Sequence, residues 1–96
     1  MIRSFKDIAT GDIYHGISSR KTRKFSDEII HIAVRKLDQL NASFDINDMR
    51  VPPGKHLEKL KGDLKNYYSI RIDVQYRIVF QWKNGDAFNV SIVDYH

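Results

Sequence analysis

Two arginines and a short C-terminal sequence are the parts of this 96-residue chain best suited to chemistry. Arg71 and Arg77 lie in "YYSIRIDVQYRIVF", and the sequence closes on Asp94, Tyr95 and His96. Arginine binds phosphate through two N–H groups and keeps its charge, and histidine exchanges a proton near neutral pH. Cleavage of RNA through its own 2′-hydroxyl needs a base, an acid and cations around the phosphate. These residue types therefore indicate phosphate chemistry, which side chains can supply without a metal.

The apolar pattern around the arginines predicts an antiparallel hairpin with strands at 67–72 and 76–82. Pairing Ile70 with Ile78 keeps the apolar side chains on one face, whereas a one-residue slip would scramble that face. The same register sets Arg71 directly opposite Arg77, and like charges in that position are destabilising. At roughly 5.5 Å and an effective dielectric near 20, the two cations repel by about 3 kcal/mol before salt screening. An anion bound between them would remove that cost.

Further strands are predicted on both sides of this hairpin, in "KHLEKLKG" and, after the "KNGD" turn, in "AFNVSIVDYH". The asparagine–glycine pair favours a two-residue turn, which would set Phe80 opposite Asn89. A register centred on Gly85 instead sets Phe80 opposite Val90, completes the apolar face, and is the one predicted here. That face is predicted to contain Tyr68, Ile70, Ile72, Tyr76, Ile78, Phe80, Trp82, Phe88, Val90 and Ile92.

The opposite sheet face carries the two arginines and is expected to be polar and open to water. Lys59 and Lys61 come from the neighbouring predicted strand, so the positive patch is expected to hold four cations. The simpler alternative is an ordinary surface, in which Glu58 or Asp94 neutralises one arginine and the other points into solvent.

The first half of the chain supplies the helices that would cover the apolar face. "MIRSF" alternates as a short first strand, and Ser26 is a suitable N-cap for a helix over about 26–41. Its apolar residues recur at helical spacing. "DIATGDIYHGI" and "SFDINDM" predict shorter helical segments. The order predicts a single α+β domain over 1–96: a mostly antiparallel sheet of four to five strands, with two or three helices packed on one face.

The composition excludes several classes of protein. With 42% hydrophobic and 29% charged residues and no run of 18 apolar residues, the chain is expected to be a cytoplasmic globular protein with no membrane contact. No cysteine is present, so a thiol nucleophile or disulfide framework is excluded, and the four histidines lack metal-binding spacing. Neither a P-loop nor a dinucleotide-binding fingerprint occurs.

The net charge of +4 is concentrated in a few basic clusters. Arg20, Lys21, Arg23 and Lys24 place four cations in five positions. Such a cluster is either a solvated surface or an electrostatic footprint for nucleic acid. The segment has no apolar face, and residues 9–24 are predicted to be mobile in the free protein.

Several spaced motifs of the second half carry a family resemblance: the PPG turn, the L-x-x-L-K-G-D segment, the Y-S-I-R-I and Q-Y-R-I-V-F strands, and the D-Y-H end. Together they resemble the HigB branch of the RelE/ParE superfamily, the toxins of type II toxin–antitoxin operons. The resemblance implies a RelE-like microbial RNase fold and ribosome-dependent cleavage of messenger RNA in the A site, by attack of the 2′-hydroxyl. It implies no metal or other cofactor.

The same resemblance implies partners and residue roles. The partners would be a HigA-type helix-turn-helix antitoxin, the 30S A site with its mRNA, and operator DNA only through the antitoxin. Arg77 would stabilise the phosphate in the transition state, Tyr95 would contact a base or the 2′-hydroxyl, and His96 and Asp94 would transfer protons, with base and acid unassigned. The implied catalytic set is Arg77, His96, Tyr95, Asp94, Lys61 and Arg71. The implied RNA- or ribosome-binding set is Lys59, His56, Lys55, Arg20, Lys21, Arg23 and Lys24.

Two other functions stay open at this point. A non-catalytic toxin on the same scaffold, such as a ParE-like DNA gyrase inhibitor, is the main alternative, because a fold does not fix a function. A degenerate toxin that serves only as a repressor subunit is the third. The grouping of paired arginines with the D-Y-H end favours the ribonuclease.

Overall fold

The computed structural model describes residues 1–50 and 57–94 and shows the predicted α+β architecture. Two helices, α1 (Ile8–Tyr14) and α2 (Asp27–Ala42), and a 3₁₀ turn (Ile46–Arg50) precede the sheet. Its strands are β1 (Glu58–Lys59), β2 (Tyr67–Arg71), β3 (Tyr76–Lys83) and β4 (Asp86–Asp94), with a second 3₁₀ turn (Gly62–Leu64) after β1. The four strands are antiparallel neighbours in chain order.

Helix α2 forms where the sequence predicts it and contributes one side of the hydrophobic core. The Ser26 hydroxyl accepts a hydrogen bond from the Ile29 amide at 3.2 Å, which caps the helix. Ala33, Leu37 and Leu40 are fully buried on one side and belong to the same cluster as the apolar face of the sheet. Full burial of one leucine contributes about 1.5–3 kcal/mol, so this stripe holds the helix on the sheet.

The β2–β3 hairpin has the predicted register. Tyr68 pairs with Phe80, Ile70 with Ile78, and Arg71 with Arg77. Its turn contains no glycine and is held by the Asp73 carboxylate, which accepts hydrogen bonds from the amides of Gln75 at 2.9 Å and Tyr76 at 2.7 Å.

The β3–β4 hairpin contains both of the competing registers. Next to the turn, Trp82 pairs with Ala87, as the two-residue turn requires, and both Asn84 and Gly85 have positive φ. Beyond Val79 the register is the one predicted, with Ile78 opposite Ile92.

A bulge on β4 makes the change of register. Asn89 adopts a φ of 52°, and Asn89 and Val90 together face the single residue Phe80. The prediction was therefore right at the core end and wrong at the turn end. Ala87 takes the buried position that was assigned to Phe88, and Phe88 pairs with Gln81 on the other face.

The N-terminal segment adds a short parallel edge beside β4. Ile2 bridges Ala87 and Phe5 bridges Val90, so "MIRSF" pairs with the sheet without forming a continuous strand. Asp86 forms ion pairs with the Met1 ammonium at 3.3 Å and with Arg3 at 3.1 Å. Burial alone would raise the pKa of Asp86. Hydrogen bonds from Arg3 and from the Met1 ammonium outweigh this effect and lower that pKa below its ordinary value.

The segment predicted to be mobile begins in helix α1. Asp7 caps this helix by accepting from the Thr10 amide at 2.8 Å, and Ala9, Thr10 and Ile13 are buried. The Thr10 hydroxyl also accepts from the Ile92 amide at 3.0 Å, which ties α1 to β4. The mobility of residues 9–24 stays a prediction. Within the described residues, no helix is both long and apolar enough to cross a membrane.

The buried stripe of α2 should contribute measurably to stability. Leu37→Ala should lower the free energy of unfolding by about 2–5 kcal/mol, because it leaves a cavity under α2. Gln39→Ala, on the exposed side of the same helix, is the matched control and should change it by less than about 0.5 kcal/mol. Urea denaturation followed by circular dichroism measures both, and equal effects would contradict this packing.

Candidate functional site

Arg77 is a buried cation held in one orientation. Its side chain is only 5% exposed, and its Nε donates a hydrogen bond to the Ser69 hydroxyl at 2.8 Å. A terminal nitrogen lies 3.7 Å from a carboxylate oxygen of Glu58. Glu58 is 53% exposed, so this ion pair is worth little by itself. The Ser69 bond fixes the plane of the guanidinium while Glu58 offsets part of its charge.

Arg71 lies directly opposite Arg77 and is half-exposed. Within 1–50 and 57–94, no ion pair or side-chain hydrogen bond involves its guanidinium. The two cations therefore have different environments: one is locked in the protein and the other reaches toward solvent. The alternative in which a carboxylate neutralises one arginine is correct in part, since Glu58 pairs with Arg77.

The sheet face that carries Arg71 and Arg77 is the arginine face. It was predicted to be open to water, but its centre is buried. Ser69, Val79 and Ser91 form a row across its centre, and all three are buried together with Arg77. The Lys6 ammonium, beyond β4, lies 5.8 Å from the centroid of the Tyr67 ring on β2. This contact across the intervening strands indicates that the face is concave, and bulges such as the one at Asn89 increase such bending.

The predicted patch of four cations is not present on one face. In β1, Glu58 pairs with Ser69 and Lys59 pairs with Tyr68, so Lys59 leaves the sheet on the side opposite to the arginines. Lys61 is exposed at the N-cap position of the 3₁₀ turn after β1. Two-residue periodicity alternates the sides on which neighbouring side chains lie, so Lys59 does not join the arginine pair on the concave face.

Asp94 lies at the end of β4 on the helix side of the sheet. It pairs with Tyr76, is exposed, and accepts a hydrogen bond from the Gln75 side chain at 3.2 Å. Val93 is the residue directly opposite Arg77. The predicted site residues Tyr95, His96, Lys55 and His56 lie outside the described residues.

The basic segment lies close to the turn that carries the arginines. The cationic side chains are exposed, namely Arg20, Lys21, Arg23 and Lys24. Phe25 is buried and packs edge-on against Tyr76, with ring centroids 5.2 Å apart. Lys24 also lines a cleft with Asp73 and Gln75 of the β2–β3 turn. Phe25 therefore anchors this cluster beside the residue that precedes Arg77.

Sequence reasoning missed a larger cleft at the far end of the sheet. It has a volume of about 600 Å³, and its walls include Tyr68, Trp82 and Phe88. Phe88 was assigned to the apolar face, whereas the bulge directs it to the arginine face. The asparagine–glycine turn signal contained this information, since a strict two-residue turn forces that pairing beside the turn.

Metal ligands do not cluster in the described part of the chain. No group of three His, Asp or Glu side chains in 1–50 and 57–94 could hold a metal ion. The charged groups that this part of the chain brings together on the concave face include the two arginines and Glu58.

Comparisons with known proteins agree with this fold. Residues 3–96 match the model of a family described as RelE-like toxin of type II toxin–antitoxin system HigB. "Toxin HigB-1" of Vibrio cholerae is 38% identical over 92 residues, which cover 96% of this chain and 95% of the relative. "Endoribonuclease HigB" of Proteus vulgaris is 32% identical over 97 residues, the full length of both. The solved YoeB–YefM complex of Staphylococcus aureus contains a chain with a TM-score of 0.58 and 25% identity, covering 100% of this chain and 98% of that one.

The Ser69 bond to Arg77 can be tested by its stability effect. Ser69→Ala should lower the free energy of unfolding by about 1–3 kcal/mol, because it removes a hydrogen bond from a buried guanidinium. Ser91→Ala, at the other end of the same buried row, is the matched control and should cost less. Chemical denaturation compares the two, and a larger loss in Ser91→Ala would refute this account of how Arg77 is held.

Proposed function

The chain belongs to the HigB family of RelE-like toxins of type II toxin–antitoxin systems, and from this membership we propose that it is a ribosome-dependent endoribonuclease. Its substrate would be messenger RNA in the ribosomal A site, cut without a metal, in the cytoplasm where translation runs. The observation that carries the proposal is the pairing of a buried, oriented arginine with a half-exposed one on a concave face.

The reaction would use the 2′-hydroxyl of the RNA as the nucleophile. The 2′-oxygen bonds to the adjacent phosphorus, the bond from phosphorus to the 5′-oxygen breaks, and the leaving oxygen takes up a proton. A base must accept the 2′-proton, and an acid must supply the second one. We propose that His96 takes part in proton transfer and that Tyr95 contacts a base or the 2′-hydroxyl. Asp94, the other proton-transfer candidate, leaves β4 on the helix side and would orient a neighbouring residue.

The Arg77 guanidinium is suited to stabilising the negative charge on the phosphate oxygens in the transition state. Preorganised donors in a partly dry site stabilise a transition state more than flexible donors in water, because little reorganisation remains at the moment of reaction. The 2.8 Å bond to Ser69 supplies that preorganisation. Arg71 would bind the incoming phosphate from the solvent side, and the phosphate would offset the repulsion between the two guanidiniums. Lys61 would supply a further cation from the turn after β1.

Ribosome binding would use the exposed basic side chains. The cluster of Arg20, Lys21, Arg23 and Lys24 is exposed, and its Lys24 lines a cleft with residues of the β2–β3 turn. These cations could contact ribosomal RNA while Arg77 engages the message. Lys55, His56 and Lys59 are proposed to contact RNA as well.

The neutralising partner is an antitoxin, as the type II family implies. The chain of similar fold from Staphylococcus aureus is solved as a YoeB–YefM complex. We propose that the partner of this chain is a helix-turn-helix protein of the HigA type. Operator DNA would then be contacted only through that antitoxin.

The activity test centres on Arg77. Arg77→Ala should reduce mRNA cleavage on translating ribosomes by about 10²–10³-fold, because it removes the fixed transition-state cation. Arg77→Lys should also be impaired, since lysine cannot keep the oriented bond to Ser69. Primer extension on messages from translating ribosomes measures the cut, with Arg35→Ala on the exposed side of α2 as the control.

Three results would contradict the proposal. Wild-type cleavage in folded Arg77→Ala protein would remove Arg77 from the site. Equal cleavage of free and ribosome-bound message would remove the ribosome dependence. Growth arrest with intact messages and DNA damage signals would favour a gyrase inhibitor instead.

A further inference from the structure

The large cleft at the far end of the sheet contains an aromatic platform. Tyr68 and Trp82 are only partly buried, and both contact the fully buried Phe80. The Tyr68 ring stacks on Phe80 with centroids 6.1 Å apart, and Trp82 meets Phe80 edge-on at 6.3 Å. Because Phe80 is fully buried in the close-packed core, it supports the two rings that line the cleft.

The bulge on β4 adds a third ring to the cleft, from the other face of the sheet. Phe88 lies opposite Gln81 because Asn89 adopts a positive φ, which moves Phe88 off the core face. Asn89 is itself held, since its amide nitrogen donates to Gln81 at 2.6 Å and its backbone N–H donates to Ser4 at 2.9 Å. A left-handed asparagine is uncommon, and this one delivers an aromatic side chain to the cleft instead of the core.

The polar residues of the cleft carry positive charge only. Lys59 and Lys83 are exposed on its walls, and none of its lining residues is acidic. Gln81 and Asn89 add amide groups that can bond to the edges of bases. Aromatic rings beside cations are the arrangement that binds single-stranded nucleic acid, where bases stack on the rings and phosphates meet the cations.

We propose that this cleft is an RNA subsite that holds a base of the message at a distance from the bond that is cut. Five residues of strand separate Trp82 from Arg77, which is about 17 Å along β3. Trp82 leaves the sheet on the helix side, as Tyr68 and Lys59 do. Gln81, Lys83 and Phe88 line the same cleft from the arginine face, so the cleft spans both sides of this end of the sheet, and one RNA strand could pass around the end toward Arg77. The proposal rests on the proposed function, because it takes RNA as the substrate.

Trp82 is the single tryptophan of the chain, so its fluorescence reports on the cleft directly. The purified protein is titrated with a short single-stranded RNA and with a strand of equal length whose residues are abasic. The RNA should quench Trp82 saturably, and the abasic strand should bind about 5- to 100-fold more weakly, the loss of one stacked base.

Matched variants separate the cleft from the rest of the surface. Phe88→Ala and Lys83→Ala should each weaken the quenching by RNA. Phe44→Ala, which alters a phenylalanine 90% exposed elsewhere, and Lys65→Ala, outside the cleft, should leave it unchanged. Lys83→Ala keeps the test valid if Phe88→Ala fails to fold. Arg77→Ala should lose cleavage but keep the quenching. A failure of the proposed ribonuclease activity can therefore be told apart from a failure of the proposed subsite.

Three outcomes would overturn the subsite. The first is no quenching by RNA while ribosome-dependent cleavage is intact, which leaves the proposed function standing. The second is equal quenching by the abasic strand, which shows that no base stacks. The third is an acidic peptide that quenches Trp82 with higher affinity than RNA does, which would make the cleft a protein-binding surface.

Discussion

The register of the β2–β3 hairpin is the constraint on which the rest of the site depends. Ile70 opposite Ile78 and Tyr68 opposite Phe80 put these side chains in or against the core, beneath α2. A slip of one residue would expose all of them, so the hydrophobic effect fixes the pairing. The same register sets Arg71 opposite Arg77 on the reverse face. The hydrophobic core thus imposes a contact that electrostatics alone would oppose.

The protein accommodates that contact by treating the two cations differently. Arg77 is buried and bonded to Ser69, with Glu58 nearby, while Arg71 stays half in solvent. Lys6 and Tyr67 meet over the concave face, where the central row of small side chains is buried. A buried, oriented cation beside a more exposed one suits the binding of a phosphate whose charge changes during reaction.

Much of the fold could be predicted from local patterns because those patterns agree with the core. In helix α2 the N-cap, the acidic first turn and the apolar stripe all indicate the same helix. The first hairpin has one register that buries its apolar residues. The second hairpin was predicted only in part. There the turn chemistry of Asn84 and Gly85 demands one register and the core demands another, and the bulge at Asn89 satisfies both.

The site was predicted less completely than the fold, because the face on which a side chain lies depends on how its strand pairs with the neighbouring strand. Lys59 was expected beside the arginines, yet its pairing with Tyr68 places it on the opposite side of the sheet. The burial of Arg77 could not be foreseen either, since curvature arises from the whole sheet. The aromatic cleft was missed for the same reason: Phe88 joins it only through the bulge.

The most direct test of the central claim is the free energy of unfolding of Arg71→Gln at low salt, with and without added phosphate. If the paired guanidiniums form an anion site kept at a cost, the variant is more stable than wild type by up to about 1 kcal/mol after screening. Added phosphate should stabilise the wild type more than the variant and so erase that difference. An Arg71→Gln protein that is less stable than wild type in both conditions, with no differential effect of phosphate, would contradict the account.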